Sequence, residues 1–515
     1  MERDLSTYLD LYPNRSMLFN PDEVGEYEWV NKIDLLSKLN SSMTSSMWEY
    51  ISENDDLVSG CMSCMFYMTG SLSYNISYYN ISKNKDFKDG EGFKFSFSNR
   101  FDFFSPGSPY GDRKTNFLTK MKDVASVVFN KFNIFRFHFL SKKPDFTITN
   151  QSIIKNIVQN AFLIRRPRAI LYVIPAKLDD DDKKELEKCA QLFRGFFRKA
   201  IVDCDINADE IFLQQVDQYI LEETVKVFKD FSRVKRLFGK KPFNLYERSI
   251  SPYVISLIAS ASRRNGGEVH STYHGVCQTA NEPDISTMIR CTYFWGITDA
   301  FADDARELIE ALPKAVDRNK IRNMKLDYLV SGDLRDEKES PPIKRIAIIG
   351  RPLLMRYSAF NTLEFPVYLK FERDLARWLV ARGYDVTYKA HPESDWRYFD
   401  TFLPDGVKVD WAPFEKVCHN YDAAFFHFGA SSTMPNAISS SMHIFMLQDG
   451  WHDIHLWPTR MQEYFKEHFN MVPGRISQTE FISLDFKVFE ELLLNPKPFS
   501  IKRRVEDFYY RRSFS

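Results

Sequence analysis

The chain has 515 residues, too many for one ordinary core, so two or three domains are expected. Its 69 Lys plus Arg balance 69 Asp plus Glu, which argues against the basic surplus of a general nucleic-acid binder. No long uncharged apolar run could cross a membrane, MERDLSTYLDLYPNRS lacks the order of a signal peptide, and seven scattered cysteines fit a reducing compartment; a cytosolic protein is expected.

Residues 1–130 are rich in Phe, Tyr, Asn and Ser, and read as an accessory region or an elaboration of the next domain. SLSYNISYYNISKNKDFKDGEGFKFSFSNRFDFF alternates enough to predict strands or hairpins, with Asp89-Gly90 as a turn. From residue 131 strands alternate with helices. FNIFRFHFL and RAILYVIP read as strands. LDDDDKKELEKCAQLFRGFFRKA reads as a helix, acidic at its start, with Leu186, Cys189, Leu192, Phe193 and Phe196 at apolar positions. AIVDCDI is expected as a strand and EETVKVFKDFSRVKRLFGK as a helix stopped by Gly239. Ser251 and Pro252 suit the cap and first position of the next helix, SPYVISLIASASRRNGG. EVHSTYHG and CTYFWGIT follow as strands, and DAFADDARELIEAL as a helix.

The polar, Pro-containing stretch YLVSGDLRDEKESPPIK interrupts this pattern, so 131–330 reads as a first Rossmann-like domain and 331–343 as a linker. A second block, 344–497, repeats the alternation: RIAIIG strand, LKFERDLARWLVARGYD helix, then strands VTYKAHP, VKVDW and YDAAFFHFGASS, a helix start at TMPNAISSSM, and strand HIFMLQ. Residues 498–515 read as a C-terminal helix and tail. Such alternation implies α/β architecture with parallel sheets and right-handed crossovers, hence two doubly wound domains. Ligands of these sheets bind beyond the carboxyl ends of strands.

Chemistry-bearing residues stand at those places. His274-Gly275 follows EVHSTY, where an imidazole and a close backbone approach are offered together. Lys389, His391 and Pro392 follow VTY, the proline fixing the turn that presents the histidine. Gly350 ends RIAII, and Gly429-Ala-Ser431-Ser432 follows FFHF at a helix start, where hydroxyls and free N–H groups suit an anion. Each motif alone also has a bland reading, as a structural strand-end histidine or a simple helix cap.

The order strand-HG, then K-x-HP, then G-x-SS resembles the GT-B glycosyltransferases of bacterial surface and capsular polysaccharide assembly, over about residues 240–450. It is similar to transferases using CMP-activated 3-deoxy-manno-octulosonate or sialic acid, and to CDP-glycerol or CDP-ribitol phosphotransferases. The resemblance implies a GT-B fold of two Rossmann-like domains facing a cleft. It implies a nucleotide-sugar donor, CMP-sugar favoured, a glycan or lipid-linked acceptor, no cofactor and no metal. His391 would contact the donor phosphate with Lys389 as a second cation; Ser431 and Ser432 would bind phosphate oxygens. Gly275 and Gly350 would let the backbone approach, and His274 would lie across the cleft.

Glu247, in FNLYERSISP, could deprotonate an acceptor hydroxyl or attack the donor, or be only a first-turn acid of the next helix. Some positions depart from the family: Tyr273 stands where Gln often precedes HG, Asn436 near where a glutamate often binds ribose, and an acidic pair followed by glycine is not evident. A polyol-phosphate transferase using a CDP-polyol and a non-catalytic glycan-binding module are the alternatives.

Three rival signals are weighed. Asp203-Cys-Asp205 copies a metal-binding DxD, but two acids at a strand end are common without metal. Cys61-Met-Ser-Cys64 has zinc spacing without a second ligand pair, so core thiols are expected. The basic and aromatic SIKRRVEDFYYRRSFS suits either a packed last helix or a peripheral contact with the inner membrane face.

Overall fold

The computed structural model describes residues 174–248, 253–273, 287–310 except 289, 320–324, 342–350, 364–391, 403–427, 433–448, 457–477 and 481–513, with short pieces at 145–147, 161–163 and between 39 and 61. The predicted strands FNIFRFHFL and most of RAILYVIP, the Asp89-Gly90 turn and most of the linker lie outside these residues.

The fold is α/β, two doubly wound parallel-sheet units in tandem. The first sheet contains β1 (Asp145–Thr147), β2 (Phe162–Leu163), β3 (Asn244–Glu247), β4 (Val269–Thr272), β5 (Tyr293–Gly296) and β6 (Ile321–Asn323), in the order β2-β1-β3-β4-β5-β6. Its pairings are all parallel. Helices α1 (Asp180–Asp203), α2 (Glu210–Phe238), α3 (Tyr253–Arg264) and α4 (Asp299–Glu310) connect the strands.

Local chemistry sets the helix ends. Asp179 and Asp182 form a reciprocal cap on α1: Asp182 N donates to Asp179 Oδ1 at 2.8 Å, and Asp179 N to Asp182 Oδ2 at 3.2 Å. Leu186, Cys189, Ala190, Phe193 and Phe197 then form its buried stripe. Asp209 caps α2 through Phe212 N, and Gly239, at φ 63°, ends it.

Two expectations change here. AIVDCDI is the last turn of α1 and the bend after it, not a strand; Ala200 and Ile201 continue the buried stripe, so the helix period prevails over the β-branched composition. The helix expected from Glu222 begins twelve residues earlier, at Glu210, because Phe212, Val216, Tyr219 and Ile220 already keep the helical face.

The second sheet contains β7 (Arg345–Ile349), β8 (Asp385–Lys389), β9 (Lys408–Asp410), β10 (Ala423–Phe426), β11 (His443–Gln448), β12 (Asn470–Ser477) and β13 (Phe481–Leu484). Its order is β13-β12-β11-β10-β7-β8-β9, parallel except for the antiparallel β12–β13 pair. Helices α5 (Glu364–Ala381), α6 (Phe414–Val417), α7 (Met434–Ile438), α8 (Thr459–His468), α9 (Phe486–Leu494) and α10 (Ile501–Tyr509) complete the unit.

Alternate residues of its central strands feed different cores. Ile346, Ile348, Ala423 and Phe425 face one apolar cluster with Phe371, Leu375 and Phe489. Ala347, Ile349, Ala424 and Phe426 face a larger cluster that continues into the first unit. Burial on both faces is why these strands read as unbroken apolar runs.

The units meet through α4, α8 and α10. Arg460 grips Asp304 at 2.8 and 2.5 Å and donates to Phe508 O at 2.9 Å. Glu307 Oε1 accepts from Thr459 N and Oγ1 at 2.8 and 2.6 Å, and the Phe301 and Phe508 rings meet edge to face. Arg504, fully buried, donates to the carbonyls of Ile438 and Met442 at 2.8 and 3.1 Å and to those of Ala437 and Ser440, binding α10 to the end of α7. Its guanidinium lies over Phe499, and burial lowers its pKa to about 10. Of the other basic tail residues, Arg503 pairs with Glu467 and Asp507, Arg511 with Asp507, and Arg512 with Asp303. The C-terminal segment is thus packed onto the fold. Among the described residues, no helix is long and apolar enough to cross a membrane.

Candidate functional site

Both sheets reverse their strand order once. In the second unit the first strand, β7, lies between β8 and β10, so chain order maps onto the 3-2-1-4-5-6 arrangement of a dinucleotide fold. The crevice at its carboxyl edge lies between the ends of β7 and β10. In the first unit the switch falls between β1 and β3.

Gly350 follows β7. Its N–H donates to Lys389 O at 3.0 Å, which ties the ends of β7 and β8 together. A Cβ at Gly350 would run into the Tyr388 ring and hydroxyl, so only glycine lets the chain lie this close. Lys389 ends β8 and is 5% exposed. Its Nζ donates to Asp410 O at 2.8 Å and stands 3.9 Å from Asp410 Oδ1. Burial lowers its pKa, opposed by Asp410 and Glu415. The ammonium is thus directed to β9, beneath the sheet edge. His391, two residues on and half-buried, stands beyond β8. Pro392, Gly429, Ser431 and Ser432 lie outside the described residues.

Asn436 sits, half-buried, in α7. That helix has five residues and no side-chain cap, so its dipole adds little to an anion site.

In the first unit Glu247 ends β3 at the switch point. In the register it stands beside Ser271, on the covered face, and is 1% exposed. Its Oε1 accepts from Arg248 N at 2.9 Å. Arg248 Nε in turn donates to Tyr273 O at 3.0 Å, linking the Glu247 turn to the residue before His274. Burial lowers the Arg248 pKa, and Glu247 opposes this. Tyr273 is buried, its hydroxyl donating to Phe301 O and its ring set edge-on to Phe294 and Phe301. Its role is therefore in packing. His274 and Gly275 lie outside the described residues.

Sequence reasoning missed Arg248 and Ser271. Arg248 was legible as the basic neighbour of the candidate acid, but its reach to Tyr273 depends on β3 lying beside β4. Ser271 is fully buried beside Glu247, and its Oγ has no hydrogen-bond partner among the described residues.

The rival metal motif is not at a strand end: Asp203 closes α1 and accepts from Ser42 Oγ at 2.7 Å, and Asp205 has φ 52°. Among the described residues, no group of three or more His, Cys, Asp or Glu could hold a metal ion. Cys61 is buried; Cys64 lies outside the described residues.

No family model and no curated protein matches the chain. Among solved structures it is similar to the catalytic domain of starch synthase IV from Arabidopsis thaliana, bound to ADP and acarbose, with 12% identity and a TM-score of 0.27, over 55% of this chain and 74% of that one.

Proposed function

We propose that the chain is a cytosolic glycosyltransferase moving a sugar from a nucleotide-activated donor, a CMP-sugar favoured, to a hydroxyl of a bacterial surface glycan. The observation that carries this reading is the position of the motif residues. Gly350, Lys389 and His391 stand at the carboxyl ends of β7 and β8, beside the switch point of the second sheet, and Glu247 stands at that of the first. Nucleotides bind α/β sheets at such places.

In this reading His391, Ser431, Ser432 and the backbone at Gly429 and Gly350 hold the donor phosphate. The buried Lys389 ammonium adds positive charge from below. As the acceptor oxygen attacks the anomeric carbon, the bond to the nucleotide breaks and its phosphate takes the electron pair; these donors stabilise that charge. Glu247, with His274 across the cleft, takes the acceptor proton. No metal is needed where imidazole, ammonium and hydroxyls supply the counter-charge.

A non-catalytic GT-B module is the second reading. The 1% exposure of Glu247 and its bond to the adjacent backbone favour it.

The test is thermal stabilisation by CMP, CDP, UDP, GDP and ADP, on wild type and His391→Ala. A nucleotide at about 100 times its Kd stabilises by about 2.7 kcal/mol. Stabilisation by one nucleotide, lost in His391→Ala, supports a donor site. Stabilisation by CDP with turnover of a CDP-polyol selects polyol-phosphate transfer, and no shift at millimolar nucleotide refutes the donor reading.

A further inference from the structure

Two buried polar groups of the second unit meet at one buried carboxylate. Glu372, on α5, accepts from Tyr388 Oη at 2.7 Å and lies 2.5 Å from His427 Nε2. All three residues are 0% exposed. Their surroundings are apolar: Phe371, Leu375, Phe425 and Phe445. A carboxylate in such a place costs several kcal/mol unless well satisfied, and a core of this size could be filled with apolar side chains at no such cost.

The position of the cluster supplies a reason for it. Tyr388 is the penultimate residue of β8, immediately before Lys389 and three before His391. His427 directly follows β10 and stands two residues before Gly429. The Tyr388 ring fills the space where a side chain at Gly350 would go. One carboxylate therefore joins β8 to β10 across β7, beneath the crevice where the sheet reverses. The hydroxyl pKa of Tyr388 is raised, mainly by burial and further by Glu372, so it stays a donor.

We propose that Glu372, Tyr388 and His427 form a positioning triad for the donor site. Glu372 fixes the carboxyl ends of β8 and β10 and, through Tyr388, the chain at Gly350. The groups beyond those strands are thereby held at the spacing a phosphate requires, as sites built on rigid elements demand. This rests on the second unit being the donor side.

The test uses the full chain with Tyr388→Phe, His427→Leu and His427→Gln, whose amide can still donate to Glu372. Binding of CMP, CDP, UDP, GDP and ADP is measured well below the melting temperature, with hydrogen exchange of the nucleotide-free protein in parallel. For the nucleotide that wild type binds, Tyr388→Phe and His427→Leu are expected to raise Kd about tenfold, and His427→Gln to recover most of it. Exchange is expected to quicken at 349–350 and 389–391 while β11 keeps its protection. Kd values within about twofold of wild type in both variants overturn the triad and leave the donor site standing. Should wild type bind none of the five, the donor reading is lost and the triad's role at a donor site falls with it; unchanged exchange at 349–350 and 389–391 refutes its hold on the strand ends as well.

Discussion

Replacing Arg460 with methionine tests what holds the two units together. The Arg460 and Asp304 side chains are 4% and 6% exposed, so the ion pair is screened little by water. Methionine keeps much of the volume but strands a buried carboxylate and removes the donor to Phe508 O. Breaking a buried pair in this way costs about 3–5 kcal/mol. At roughly 2–4 °C per kcal/mol, melting of the affected unit falls by about 6–20 °C.

The loss carries a pH signature. Burial already raises the Asp304 pKa, opposed by Arg460. Without Arg460 that opposition is gone and the pKa rises further. A carboxyl with a folded pKa above its unfolded value binds its proton more readily when folded. Stability therefore rises as pH falls through the folded pKa. Arg460→Met should be most damaged near pH 8 and partly recover towards pH 5, whereas the double variant with Asp304→Asn should not show this recovery. Thermal melts of the two single variants and the double variant across this range complete the cycle. A loss under about 1 kcal/mol at pH 8, or additive single effects, would refute the argument that the pair is buried and coupled.

Gly350→Ala should destabilise by about 1–3 kcal/mol through overpacking against Tyr388, and weaken nucleotide binding, in melts with and without CMP. Lys389→Met should change stability by less than about 1 kcal/mol, because Asp410 is partly exposed and still accepts from Ala412 N and Tyr421 Oη, yet raise the nucleotide Kd. Glu247→Gln should leave nucleotide binding intact and lower turnover about a hundredfold or more; equal turnover would return Glu247 to a structural role. His443 is 1% exposed, has both ring nitrogens without a partner among the described residues, and has its pKa lowered by burial to about 4. Its folded pKa lies below its unfolded value, so its contribution is intact above about pH 6.5 and is lost as pH falls towards 4, by at most about 3 kcal/mol. His443→Leu should flatten that part of the acid melting curve.

The sheets were largely legible from residue order. RIAII, VTYK, AAFF and HIFML are short apolar runs with helices between, and burial on both faces leaves that mark in any sequence. Strands such as Phe162–Leu163 and Ile321–Asn323 carry too few residues for a period to show. AIVDCDI has the composition of a strand, yet Ala200 and Ile201 continue a helical stripe that has not ended there.

For the candidate site, the sequence determined which chemistry stands at or just after the end of which strand: Glu247, Gly350, Lys389 and His391. Local order alone settles this, because a strand ends where its apolar run ends. Only the tertiary structure decided that β7 lies between β8 and β10, that the Lys389 ammonium turns to Asp410, and that Glu372, 55 positions from His427, meets it under the crevice. Those facts depend on strand order and burial, and partners brought together by folding leave no spacing to read along the chain.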